Sequence, residues 1–143
     1  MGTLNVLLDT CTFLWFALPD GKLSARAEEM LNEPENTLFL SDVSVWEITL
    51  KHATGKLPLP GIPRTWLPSR AAFFQVRFLP LTHAAIFRSG ELPKKHADPF
   101  DRLLAAQALE EQMTMLSPDL RSRGSARRAC GRARFFETIR APR

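Results

Sequence analysis

Four apolar runs of strand length, residues 4–8, 37–40, 76–79 and 113–116, recur along the chain with helical stretches between them. A strand that crosses over through a helix returns parallel to its predecessor, so this alternation predicts an α/β domain around a mainly parallel sheet. The first run, Leu4-Asn5-Val6-Leu7-Leu8, has no polar alternation after Asn5 and ends directly on Asp9. Continuous apolar character of that kind suits a central strand covered on both faces.

Local signals place the helices. Residues 11–18 form a short helix closed by the turn-forming Pro19-Asp20-Gly21, and Ser24 is an N-cap for residues 25–32. Residues 44–54 form the next helix, with Gly55 where a C′ glycine would end it. Three prolines and one glycine make 56–63 a loop. Residues 64–74 are helical despite Pro68, and 82–89 form a short helix. Asp98-Pro99 opens the best helix in the sequence, 100–112, with Asp as N-cap and Pro in the first turn.

The chain has 143 residues, 45% of them apolar, which fits one domain with a real core. The net charge of +4 points towards nucleic acid until it is divided. Residues 121–143 hold eight arginines and one glutamate, a net +7, so residues 1–120 carry −3. Cys11 and Cys130 are too few for a disulfide framework and lie in no zinc-type spacing. Neither a leader with a basic start nor an apolar run of membrane-spanning length is present, so the expected location is the cytoplasm.

Ligands of open parallel sheets sit beyond the carboxyl ends of the strands. Asp9 ends the first strand, Glu47 lies in the helix after the second, Asp98 and Asp101 open the helix before the fourth, and Asp119 follows the fourth. Four segments thus bring carboxylates to one sheet edge, where their mutual repulsion calls for a cation. An all-oxygen set favours Mg2+ or Mn2+ over zinc, and such an ion activates water and stabilises a phosphoryl transition state. Simpler roles compete at each position. Ser44-x-x-Glu47 reads as a capping box, and Glu47 could pair with Lys51 one turn on. Asp98 is an ordinary N-cap, Asp101 a favourable first-turn acid and Asp119 a turn residue. Asp9 has no evident local capping task.

Leu7-Leu8-Asp9-Thr10, then Ser41-x-x-Ser44-Val45-Trp46-Glu47-Ile48 with Lys51 and Gly55-Lys56-Leu57, form an ordered set. With Leu92-Pro93-x-x-His96-x-Asp98-Pro99-Phe100-Asp101-Arg102-Leu103-Leu104-Ala105-Ala106-Gln107-Ala108, it resembles the PIN-domain nucleases over residues 4–120. Within them the likeness is to the VapC type, the toxin half of a bacterial toxin–antitoxin pair. The resemblance implies a three-layer α/β/α sandwich with four to five strands and Mg2+- or Mn2+-dependent endoribonuclease activity. Carried over, the acidic set is Asp9, Glu47, Asp101 and Asp119, as both metal ligands and catalytic groups. Thr10, Ser44 and Asp98 would support the pocket, and Lys51 and Arg102 are candidates for phosphate contacts. His96 is read as a loop histidine, since an ion-activated water needs no separate imidazole. The implied partners are RNA, a VapB-type antitoxin and a second copy of the chain. Phe13, Trp15, Phe16 and Trp46 could serve core or interface, with core the default.

The tail departs from this pattern. Residues 120–131 are Arg-, Ala-, Ser- and Gly-rich, and only 134–139 reads as a candidate edge strand. The expected organisation is a nuclease domain over 1–120 and a basic tail over 121–143, either an arm for RNA or an antitoxin, or the product of a shifted reading frame. The alternative function is a catalytically impaired module that binds RNA or protein. A haloacid-dehalogenase-type phosphatase is disfavoured, because Asp9-Thr10-Cys11 lacks a second aspartate two residues on.

Overall fold

The computed structural model describes residues 3–18, 23–93 and 98–117. The elements run β1 (Asn5–Leu8), α1 (Thr10–Ala17), α2 (Ala25–Asn32), β2 (Thr37–Ser41), α3 (Asp42–Ala53), α4 (Pro63–Phe73), β3 (Val76–Leu79), α5 (His83–Glu91), α6 (Pro99–Glu110) and β4 (Thr114–Leu116). The turn at Pro19-Asp20-Gly21, His96, Asp119, the division at residue 120 and the edge strand at 134–139 lie outside the described residues.

The strands form one sheet in the order β3-β2-β1-β4, and every pairing is parallel. The sheet is thus wholly rather than mainly parallel among the described residues. β1 sits in the middle, with Leu8 opposite Leu40 of β2 and Leu116 of β4. Its side chains divide by the period of two that any strand imposes. Val6 and Leu8 join one apolar cluster with Phe13 and Leu14 of α1, Leu31 of α2, Ile48 of α3 and Leu67 of α4. Leu7 points the other way, into a cluster with Val43 of α3, Leu104 and Ala108 of α6, and Met115. Two cores on opposite faces of one sheet make the expected three-layer sandwich. All three of these β1 side chains are fully buried, which explains why the run shows no polar alternation. Among the described residues no helix is long and apolar enough to cross a membrane.

Helix ends follow the local chemistry. Ser24 and Asp98 cap their helices by accepting from backbone N–H groups, as the sequence indicated, and Thr82, expected inside its helix, is a third such cap. Gly55 adopts φ +74°, while Gly55 N–H donates to His52 O and Lys56 N–H to Lys51 O, a complete Schellman motif. α3 differs from expectation at its other end. It begins at Asp42, because Ser41 is the N-cap and accepts from Val43 N–H at 3.0 Å. The Ser44–Glu47 capping box is therefore overturned: both residues lie inside the helix.

Of the four early aromatics, Phe13 and Trp15 are core. Phe16 packs against that core and Phe74, whereas Trp46 is 56% exposed. Trp46 meets Phe100 edge-on, with ring centroids 4.9 Å apart, and so joins α3 to the first turn of α6.

Candidate active site

The carboxyl edge of the sheet is assembled around Asp9. With one residue between the end of β1 and the start of α1, Asp9 becomes the N-cap of α1, and its Oδ1 accepts from Thr12 N–H at 2.7 Å. This corrects the expectation that Asp9 has no capping task. The Asp9 N–H and the Thr12 hydroxyl both donate to the carbonyl of Leu116, at 3.0 and 3.1 Å, which fastens the end of β4 beside Asp9.

Thr10 is the first residue of α1, and it is buried. Its Oγ1 donates to Glu47 Oε1 at 2.6 Å and lies 3.0 Å from Ser44 Oγ, itself wholly buried. Ser44 and Glu47 are three apart on α3 and share a helix face, so one hydroxyl on α1 reaches both. The other oxygen of Glu47, Oε2, accepts from Lys51 Nζ at 2.5 Å. The i,i+4 pair seen in the sequence is therefore present, and it turns Lys51 towards the pocket acid rather than leaving it as a bare phosphate contact.

Asp9 and Glu47 are both buried, and they sense each other. The Asp9 carboxyl is pushed from the ordinary aspartate value up to about 6. Burial is the largest cause and the charge of Glu47 adds to it, while the N–H and hydroxyl of Thr12 pull the other way.

Asp101 stands in the first turn of α6, on the helix that packs against α3. Asp98 is the N-cap there, accepting from Phe100 N–H at 2.8 Å and Asp101 N–H at 3.3 Å, and one of the Asp101 carboxylate oxygens is buried. Arg102 has a different task from the one expected. Its guanidinium donates to the carbonyls of Ser89, Leu92 and Pro93 and satisfies the C-terminal end of α5.

The donor chemistry fits a hard divalent cation: carboxylate oxygens only, two of them buried and mutually repelling. The geometry is not that of a closed ligand cage. Among the described residues no three His, Cys, Asp or Glu side chains form a group able to hold an ion. Glu47 is held by Lys51 and Thr10, and Asp9 is turned onto Thr12. Two contributors escaped the sequence reading. Thr12 gave no signal, because it serves Asp9 through a backbone N–H that any residue would supply. Gln107, which accepts from Ser41 Oγ and donates to Pro80 O, gave none either, because a glutamine in a helix gives no hint of burial.

The family model described as PIN domain matches residues 6–124. Among solved structures, VapBC2 from Rickettsia felis bound to a promoter DNA fragment is 18% identical with a TM-score of 0.55, over 81% of this chain and 89% of that one. Mycobacterium tuberculosis VapC20, described as a sarcin–ricin loop cleaving toxin, is 15% identical with a TM-score of 0.55, over 81% and 91%. FitAB bound to an IR36 DNA fragment is 22% identical with the same TM-score, over 82% and 87%. At these identities the likeness concerns the fold. No curated protein matches the sequence significantly.

Proposed function

Since this chain belongs to the PIN-domain family, we propose that it is a Mg2+- or Mn2+-dependent endoribonuclease, the toxin of a cytoplasmic toxin–antitoxin pair. The observation that carries this reading is the confrontation of Asp9 with Glu47, two buried acids from different segments at the carboxyl edge of a parallel sheet. Buried carboxylates that repel are costly unless something positive joins them, and a nuclease uses that cation. Asp9 and Asp101 would hold the ion chiefly, with Glu47 and Asp119 completing the pocket. When bound, the ion supplies acidification of water and neutralisation of the charge developing on a phosphodiester.

The chain's own residues do the rest. Thr10, whose hydroxyl also meets Ser44, fixes the rotamer of Glu47, and the cap on Thr12 fixes that of Asp9. Burial on both sheet faces keeps the backbone beneath the acids rigid, as orientation of reacting groups requires. An antitoxin of the VapB type would be the partner, and a second copy of the chain is expected beside it. The exposed side chains of Trp46 and Leu50 on α3, adjacent to the pocket, supply apolar surface for such contacts.

The test is cleavage of end-labelled structured and unstructured RNA by the full chain with Mn2+ or Mg2+. Asp9→Asn keeps a good N-cap while removing the charge. It should lower the rate by at least about a hundredfold, of the order seen when a charge-stabilising group is removed from an active site. Equal rates in wild type and variant would refute the proposal.

A further inference from the structure

The Glu47 carboxylate already has a cation. Lys51 lies one helical turn on, its ammonium contacts Oε2, and Thr10 occupies Oε1, so both oxygens of a buried acid are engaged inside the protein. The ion pair of Arg88 with Glu110, between α5 and α6, is much more exposed. The surroundings of the Lys51–Glu47 pair differ from those of an ordinary helix-surface pair. Glu47 is 6% exposed and its charge raises the pKa of Asp9, so the acid that Lys51 pairs with is the one that acts on Asp9. A positive charge here offsets repulsion in a region poorly screened by water.

We propose that Lys51 is a built-in counter-cation of the acid pocket, neutralising Glu47 while no divalent ion is bound and giving it up when one binds. This rests on the metal-dependent reading above. Charge explains why the pocket is tolerable without metal, and why no three acids converge among the described residues: Glu47 is drawn along its own helix towards Lys51. Lys51 is thereby a positioning residue that sets how much metal the protein needs. Removing its charge makes ion binding easier, because the incoming ion no longer competes with an ammonium for the same carboxylate.

Calorimetric titration of Mn2+ into the full-length wild type, Lys51→Met, Lys51→Arg and Asp9→Asn tests this. Lys51→Met should bind Mn2+ about tenfold more tightly, the scale of one neighbouring unit charge on a site. Lys51→Arg should match wild type, and Asp9→Asn should bind far more weakly. Unchanged or weaker binding in Lys51→Met overturns the inference, as does equal tightening in Lys51→Arg, which would make shape rather than charge the cause. Circular dichroism melts accompany the titration. A Lys51→Met chain that folds cooperatively only with Mn2+ supports the exchange, and one unfolded at every Mn2+ concentration overturns it. Wild type that takes no Mn2+ defeats the metal-dependent reading itself, whereas wild-type binding with no gain in Lys51→Met defeats this inference alone.

Discussion

The carboxyl of Asp9 is pulled two ways: the α1 N-terminus favours its charged form, and burial beside Glu47 disfavours it more strongly. With a folded value of about 6 against an ordinary 3.8, the folded chain keeps a proton that the unfolded chain releases. The stabilisation from this group is therefore complete below pH 4 and is lost as pH rises to about 6. It amounts to roughly 2–3 kcal/mol. Urea unfolding of the metal-free protein from pH 4 to 7 should show wild type losing stability relative to Asp9→Asn across that window. A flat difference, or one of opposite slope, contradicts the burial argument. The sequence marked Asp9 as the acid of interest, because a carboxylate directly after an apolar strand, whose last three residues are buried, stands out. Its capping role was hidden, since nothing in the residue types says that helix follows strand with no intervening loop. Arg102 shows the reverse: a charge in a motif looked available for substrate, and its length lets it reach the carbonyls ending α5 instead.

Elements here end by backbone geometry more than by side-chain caps. Gly55 was legible because glycine favours the left-handed conformation. Gln75 and Gln112 adopt the same conformation after α4 and α6, at φ 56° and 54°, and nothing in glutamine announces it. Met113 N–H donates to Ala108 O at 2.8 Å, completing at α6 the same closure seen at α3. A left-handed non-glycine residue costs about 1–2 kcal/mol, while glycine costs about 0.4–1 kcal/mol more unfolded-chain entropy. Gln112→Gly should consequently raise stability by about 0.5–1 kcal/mol in urea unfolding without altering the site. A loss of stability would show that the Gln112 side chain contributes more than the strain it causes. The start of α3 was misplaced for a related reason: Ser41 and Ser44 are equally good caps by type, and only the pairing of β2 up to Ser41 decides between them.

For the molecule as a whole, alternation of strand and helix made the layered fold legible, while the order β3-β2-β1-β4 depends on long-range pairing that no local pattern carries. Gln107 illustrates what such patterns miss. From α6 it bonds Ser41 at the end of β2 and Pro80 just beyond β3, tying a helix to two strands under the site. Gln107→Leu should cost about 1–3 kcal/mol, because it leaves a buried hydroxyl and a carbonyl without their partner; a neutral result in urea unfolding would refute that tie. Charge also acquires a different meaning at this scale. The basic excess of the chain, a net +7, sits in residues 121–143, and the acids proposed to handle RNA belong to a body of −3. The central claim is that acids delivered by separate segments, Asp9 before α1 and Asp101 opening α6, work as one centre. Its most direct test is the RNA cleavage rate of Asp9→Asn, Asp101→Asn and the double variant under saturating Mn2+. Groups that act as a unit are strongly non-additive, so each single variant should fall to nearly the same floor as the double. An Asp101→Asn protein that cleaves at the wild-type rate, or losses that simply multiply, would contradict a single centre.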